Sequence, residues 1–216
     1  MTEIQIRQAI MQVCQRLYQR NLLAASDGNV SYRISEQYVI FTPSGRQKAF
    51  IEPGDLAVVD MQGEIFSGLP SGERHMHLEI YRKCPKARAV IHAHPPHAVA
   101  WSLARPDWKE LPADRLSEII LGVGRIPFVP YARPTTEDMG EALTSYLPDH
   151  RVLVLNRHGV VSWGEDLEEA LNGVERVEHA SQVLWLAETL GGSTPLPSHE
   201  VEILKDMRKD AGERLL

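Results

Sequence analysis

Three histidines and one glutamate have the residue types and the spacing of a metal-dependent catalytic site. His92 and His94 are separated by one residue within an apolar stretch. Side chains at positions i and i+2 of a β-strand project to the same face, so both imidazoles could meet at one point without distorting the backbone. Two convergent imidazoles beside an apolar strand need a compensating partner, which favours a bound metal ion.

A third protein ligand is expected elsewhere in the chain, because zinc normally takes four ligands and a catalytic site leaves one position open. His158 is the best candidate. It lies between the apolar run 152–155 and Gly159, at a turn where a side chain can point out over the sheet edge. We predict one Zn²⁺ per subunit, although imidazole ligands also accept Mn²⁺ or Co²⁺.

Glu73 is predicted to supply acid/base chemistry beside this metal. A carboxylate next to a divalent cation can take a proton from a substrate bound to that cation. The same residue lies at the predicted start of a helix, where a negative charge also stabilises the helix N-terminus. Taken alone, its position leaves both roles open.

Several other histidines are predicted to have ordinary roles. A lone histidine is more often a surface or hydrogen-bonded group than a metal ligand. His97 is expected to turn away with the helix that follows the two prolines after His94. Surface or hydrogen-bonded roles are expected for His75, His150, His179 and His199.

Hydrophobic periodicity and turn residues indicate the elements that must position these side chains. Strands and helices are mixed along the chain, which favours one α/β sandwich. The predicted strands are 30–34, 38–42, 56–60, 89–94, 127–131, 152–155 and 160–163; the predicted helices are an opening helix capped by Thr2, 73–83, one through Leu103, 116–121, 136–147, a long helix after Asp166, and a charged tail helix within 198–216.

Three glycine-containing loops are candidates for binding a phosphate or carboxylate group. Small residues there leave backbone N–H groups accessible, which is what an anion pocket requires. Each loop taken singly is also an ordinary turn. The candidate residues are Gly28, Asn29, Ser44, Gly45, Ser71 and Gly72.

Size and composition predict a single globular domain spanning residues 1–216, with 43% hydrophobic and 24% charged residues. The formal net charge of −6 offers no extended positive field for a nucleic-acid backbone. No membrane span is expected, because histidines and prolines interrupt the longest uncharged run, 89–104. Cys14 and Cys84 are expected to be reduced and structural. We therefore expect a soluble cytoplasmic protein without nucleic-acid or membrane partners.

Five short motifs follow one another along almost the whole chain. They are Gly28-Asn29-Val30-Ser31, Thr42-Pro43-Ser44-Gly45, Pro70-Ser71-Gly72-Glu73, His92-Ala93-His94-Pro95 and Arg157-His158-Gly159. In this order they resemble the class II aldolase/adducin family, especially its fuculose-phosphate-type aldolases. The resemblance implies a three-layer α/β/α sandwich with a central, mainly antiparallel sheet, and a C4 homotetramer with active sites near subunit interfaces.

The same resemblance implies a zinc-dependent lyase. His92, His94 and His158 match the histidine ligands of the aldolases, and Glu73 matches the carboxylate that moves protons. The implied reaction cleaves a ketose 1-phosphate, such as a fuculose- or deoxypentulose-type 1-phosphate, to dihydroxyacetone phosphate and a short aldehyde. Zinc would stabilise the enediolate left by cleavage, with Glu73 as the acid/base.

Two positions depart from the aldolase pattern. Gly72 stands where a serine is common, and Leu116 aligns with a catalytic tyrosine. The tail also has no aromatic residue after Trp185 to match a tyrosine that aldolases use from a neighbouring subunit. The alternative is therefore a dehydratase or decarboxylase acting on a sugar phosphate or a hydroxy-keto acid. A non-catalytic, adducin-like oligomeric module is a third hypothesis.

Overall fold

A computed structural model describes all residues 1–216, and its centre is an eight-stranded sheet in the order β4-β3-β2-β1-β5-β8-β7-β6. Every neighbouring pair is antiparallel except β6 and β7, which confirms a mainly antiparallel sheet. The strands are β1 (Asn29–Arg33), β2 (Tyr38–Phe41), β3 (Ala57–Asp60), β4 (Ile65–Ser67), β5 (Ala89–Ala93), β6 (Phe128–Val129), β7 (Val152–Leu155) and β8 (Gly159–Gly164).

Helices cover both faces of the sheet, which confirms the predicted α/β/α sandwich. Two apolar clusters join α1, α3, α4 and α6 to one face of the sheet. A third cluster joins α2 and α5 to the other face. None of the helices combines the length and apolar character needed to cross a membrane. The helices are α1 (Glu3–Gln19), α2 (Arg74–Lys83), α3 (Pro96–Ala104), α4 (Ser117–Gly122), α5 (Asp138–Glu141), α6 (Leu167–Thr189) and α7 (Ser198–Asp210).

Local signals explain where the long helices begin. The Thr2 side chain accepts from the Gln5 N–H at 3.3 Å while the Gln5 side chain accepts from the Thr2 N–H at 2.8 Å, a complete capping box for α1. The Asp166 carboxylate accepts from the Glu169 N–H at 2.8 Å and caps α6. Pro96 opens α3 at a position where the missing N–H costs nothing.

The strand pairing brings distant segments to one end of the sheet. Strand β5 lies between β1 and β8, with Asn29 opposite His92 and Val160 opposite Ala93. Strands β7 and β8 form a hairpin in which Leu155 faces Gly159. The turn of this hairpin and the exit of β5 therefore lie side by side.

One predicted helix was wrong, and one strand was missed. Helix 136–147 is broken into α5 and a separate 3₁₀ turn, Thr144–Tyr146. Gly140, inside α5, packs closely against α2, with its missing Cβ position 3.3 Å from the His75 carbonyl oxygen. Strand β4 was not predicted at all, because all three of its residues are exposed and carry no alternating pattern.

We expect Asp166→Ala to lower the free energy of unfolding by about 1 kcal/mol, the usual worth of an N-cap. Asp166→Asn is the matched control, since asparagine caps equally well but removes the charge that lies 3.4 Å from Arg214. Urea unfolding of both variants measures the difference. An asparagine variant as unstable as the alanine variant would assign the effect to the ion pair instead.

Candidate active site

The imidazoles of His92, His94 and His158 converge at the exit of β5. One nitrogen from each ring lies within 4.8 Å of the other two, and the ring centroids are 4.7–5.0 Å apart. His92 is fully buried, whereas the side chain of His94 is 23% exposed, so the cluster opens to solvent on the His94 side. Three ring nitrogens at this spacing could hold one divalent cation.

Polar groups behind two of the rings orient them for metal binding. His92 Nδ1 lies 2.9 Å from the Val160 carbonyl oxygen, and because a carbonyl only accepts, Nδ1 carries the proton. The lone pair on Nε2 then faces the cluster. His94 Nδ1 lies 3.5 Å from the Asp27 carboxylate. Metal-binding histidines usually have such a partner behind the ring, so the donor set fits a metal centre.

Burial favours the neutral form of these rings. It lowers the pKa of His92 to about 3 and also lowers the pKa of His94, where the nearby His158 adds to the effect. Neutral imidazole is the form that binds metal. At neutral pH no proton has to be removed from either ring before a cation enters.

The Glu73 side chain points into the cluster and away from its own helix. Glu73 occupies the N-cap position of α2 but makes no side-chain capping bond. Its Oε1 lies 3.2 Å from His158 Nε2 and its Oε2 lies 3.3 Å from His92 Nε2, while Asn29 Nδ2 donates to Oε2 at 2.7 Å. Glu73 is therefore placed to exchange protons with a group bound at the histidines.

The charge of Glu73 is stabilised by its neighbours. Burial by itself would raise the pKa of this carboxyl, but His92, His158 and the Asn29 hydrogen bond outweigh burial and hold the pKa well below its usual range. A carboxylate thus lies beside the neutral imidazole of His92 in a buried setting. A divalent cation would complete this arrangement electrostatically.

The three glycine loops meet beside this cluster. The Ser44 N–H donates to the Leu69 carbonyl at 3.0 Å and the Ser71 N–H to the Thr42 carbonyl at 3.1 Å, so both serine N–H groups are used between loops. The N–H groups of Gly28, Gly45 and Gly72 make no hydrogen bond within the protein. These glycines, rather than the serines, leave backbone donors free for an anion.

Two side chains tie the loops together: Ser71, which is among the predicted residues, and Lys48, which is not. Lys48 is buried, and its Nζ donates to the carbonyls of Ser26 at 2.7 Å and Arg46 at 2.8 Å. Ser71 Oγ accepts from the Glu73 N–H at 3.3 Å, which joins the third loop to the acid/base residue. No local signal marks Lys48, because its partners are carbonyls brought together by the fold.

The remaining histidines lie outside the cluster. His97 turns away as expected, and its Nδ1 lies 2.7 Å from Glu178 Oε1 on α6. His77 was given no role from the sequence, yet it is completely buried one turn after Glu73. Its spacing from Glu73 is the signal that could have drawn attention to it.

Comparison with known proteins agrees with this geometry. The family model for the Class II Aldolase and Adducin N-terminal domain matches residues 8–185. The chain belongs to this family. It is 34% identical over 173 residues to an L-fuculose phosphate aldolase of Methanococcus vannielii, covering 80% of this chain and 92% of that protein. A second relative is a 3-oxo-tetronate 4-phosphate decarboxylase of Escherichia coli, 30% identical over 190 residues, covering 85% of this chain and 88% of that protein.

Solved structures of the family superpose on most of the chain. YgbL from Escherichia coli, described as a putative aldolase/epimerase/decarboxylase, has a TM-score of 0.89 at 27% identity, covering 94% of this chain and 99% of that one. An L-fuculose 1-phosphate aldolase has a TM-score of 0.85 at 28% identity, covering 95% and 96%. The protein is thus a lyase-type member of the family with the fold of its enzymes.

We expect His92→Ala to weaken zinc affinity by more than about 100-fold, since even loss of a group behind a ligand can cost that much. His97→Ala is the matched control because it removes a nearby imidazole that lies outside the cluster. Elemental analysis after dialysis against zinc, followed by competition with a chromophoric chelator, compares the two. Equal zinc content and affinity in both variants would show that the cluster is not the metal site.

Proposed function

We propose that the chain is a divalent-metal-dependent aldolase that cleaves a ketose 1-phosphate to dihydroxyacetone phosphate and a short aldehyde. The observation that carries this proposal is the Glu73 carboxylate, which lies 3.2 Å from one imidazole and 3.3 Å from another in a cluster of three. The 34% identity to an L-fuculose phosphate aldolase supports the same reaction class.

His92, His94 and His158 would hold the metal. Once bound, the cation supplies Lewis acidity that stabilises negative charge developing on the keto and adjacent hydroxyl oxygens of the substrate. We propose Zn²⁺ as the physiological ion, because neutral imidazoles suit it. Mn²⁺ and Co²⁺ would fit the same nitrogens.

Glu73 would exchange a proton at the substrate carbon next to the carbonyl. Asn29 holds one carboxylate oxygen, and the other, Oε1, lies 3.2 Å from His158 Nε2 on the side of the histidine cluster. The side chain of Glu73 is only 12% exposed, so little water competes for the proton. The position is that of a general acid/base rather than of a helix cap.

The phosphate of the substrate would bind at the three glycine loops. The N–H groups of Gly28, Gly45 and Gly72 have no partner within the protein, and backbone donors of this kind bind phosphate without a charged side chain. In this proposal the phosphate would lie beside Ser71, whose hydroxyl accepts from the Glu73 N–H. The reacting carbon would then lie within reach of the carboxylate.

Decarboxylation of a phosphorylated 3-oxo acid is a second candidate, favoured by Leu116. That residue packs against the apolar cluster under α3, α4 and α6 and offers no hydroxyl to protonate or deprotonate a leaving aldehyde. Loss of carbon dioxide requires no such group. The 30% identity to a 3-oxo-tetronate 4-phosphate decarboxylase supports this candidate.

A homotetramer with active sites near subunit interfaces is proposed together with the aldolase activity. Several large apolar side chains remain exposed on α3 and at the end of α6, and contact with a second copy would cover them. They are Leu103, Trp185, Leu186 and Leu190. Light scattering measures the mass directly, and a monomer would contradict the tetramer.

We expect zinc-loaded protein to release dihydroxyacetone phosphate from at least one ketose 1-phosphate in a panel that varies the sugar chain. A coupled NADH assay detects that product, and a second panel of 3-oxo-acid 4-phosphates is assayed for carbon dioxide by mass spectrometry. Carbon dioxide released from the second panel, with no dihydroxyacetone phosphate from any ketose 1-phosphate, would replace the aldolase by the decarboxylase. Inactivity on both panels would reject both reactions.

We expect Glu73→Gln to keep stoichiometric zinc but to lower kcat by roughly 100- to 10,000-fold, because the amide preserves shape and cannot exchange the proton. Glu79→Gln is the matched control, since Glu79 lies on the same helix outside the cluster, where it contacts Arg82, Lys83 and the Thr144 hydroxyl. Zinc content and steady-state rates are measured for both. Normal turnover in Glu73→Gln would make the residue structural.

A further inference from the structure

A row of polar side chains on α2 faces a row on β1. Glu73, His77 and Tyr81 follow one another at intervals of four residues and so lie on one face of the helix. Asn29 and Ser31 are two residues apart and lie on one face of the strand. We call these five residues the β1–α2 polar seam.

The two rows pair step by step. Asn29 Nδ2 donates to Glu73 Oε2 at 2.7 Å, Ser31 Oγ lies 2.7 Å from His77 Nδ1, and the same Oγ lies 2.8 Å from the Tyr81 hydroxyl. The seam therefore has two hydrogen-bonded parts, Asn29 with Glu73 beside the cluster and Ser31 with His77 and Tyr81 farther along α2. Ser31 connects two of its members.

The seam is buried in otherwise apolar surroundings. Ser31 and His77 are inaccessible to solvent, and the Phe41 ring centroid lies 5.4 Å from that of His77. Burial lowers the pKa of His77 to about 3, so the ring is neutral and hydrogen-bonds without carrying charge. Leaving any of these groups unpaired would cost the full desolvation of a buried polar atom.

Apolar packing alone would not fix the helix in one position. The hydrophobic effect is non-directional, so rotation or sliding of α2 on the sheet changes its energy gradually. A displaced helix would separate Ser31 from both of its partners and leave Ser31 Oγ and His77 Nδ1 without a hydrogen bond, whereas the Tyr81 hydroxyl also donates to the Arg88 carbonyl. The seam thus allows one register of α2 against β1.

We propose that Ser31 and His77 are positioning residues that hold Glu73 against the histidine cluster by locking α2 in this register. Neither residue touches the cluster, and each acts through the helix that carries Glu73. This inference rests on the proposed acid/base role of Glu73.

Ser31→Ala tests the proposal, because it removes the hydroxyl that joins His77 and Tyr81. We expect kcat to fall roughly 10- to 100-fold, because a small displacement of a reacting group slows the reaction by that much. KM and zinc content should stay unchanged. In substrate-free protein, amide hydrogen exchange in the first turn of α2 should accelerate, since the Met76 N–H donates to the Glu73 carbonyl. Ser31→Thr, which keeps the hydroxyl, should recover most of the rate.

Ile80→Val is the matched control, since Ile80 is buried on α2 but offers no hydrogen bond. If Ile80→Val loses as much thermal stability as Ser31→Ala and its kcat falls equally, the proposal is overturned, because a general loosening of the packing would then explain the fall in both variants. Tyr81→Phe provides a second seam variant should Ser31→Ala not fold. Its kcat should fall in the same direction, and a wild-type kcat would overturn the proposal.

The double variant Ser31→Ala/Glu73→Gln separates this inference from the proposed function. If Glu73→Gln is inactive and the double variant is no slower, the seam acts through Glu73 as proposed. If Glu73→Gln is inactive while Ser31→Ala has wild-type kcat and wild-type exchange, the positioning role is overturned and the acid/base role stands. If Glu73→Gln turns over normally, the acid/base role fails and the positioning inference falls with it.

Discussion

The hairpin of β7 and β8 can approach the end of β5 because residue 159 has no side chain. A Cβ on Gly159 would lie 2.5 Å from the Ala93 carbonyl oxygen and 2.8 Å from ring carbons of both His92 and His94. Gly28 permits a similar approach from the other side, where a Cβ would lie 2.8 Å from the His92 carbonyl oxygen. The histidine cluster, the Val160 bond behind His92 and the loop beside Asn29 all depend on these two contacts.

The electrostatics of the site follow from that close packing. Tight approach buries His92 completely, and burial keeps its ring neutral, while Glu73 remains a carboxylate through hydrogen bonding and the nearby rings. One negative group among neutral donors in a buried pocket favours a cation. The close packing that shapes the histidine cluster therefore also makes the site favour a positively charged ligand.

Much of the fold could be predicted because its signals are local. The capping box at Thr2, the cap at Asp166 and the hairpin on either side of His158 need only neighbouring residues, and the structure confirms each element. Helix 136–147 was wrong because periodicity does not determine how far a helix runs: α5 ends at Glu141, and a 3₁₀ turn follows at Thr144–Tyr146. Strand β4 carries no apolar alternation, so only pairing with β3 reveals it.

The sequence by itself determined the residue types that can bind metal and move a proton, and the spacing that puts His92 and His94 on one strand face. It also supplied the motif order that identifies the family. Only the tertiary structure decided that Asn29 bonds to Glu73, that glycine N–H groups rather than serine ones stay free, and that Ser31 meets His77. The periods of strands and helices determine which face a side chain occupies. Which residue it meets there, 44 or 46 positions away in the sequence for these two bonds, depends on how the elements pack.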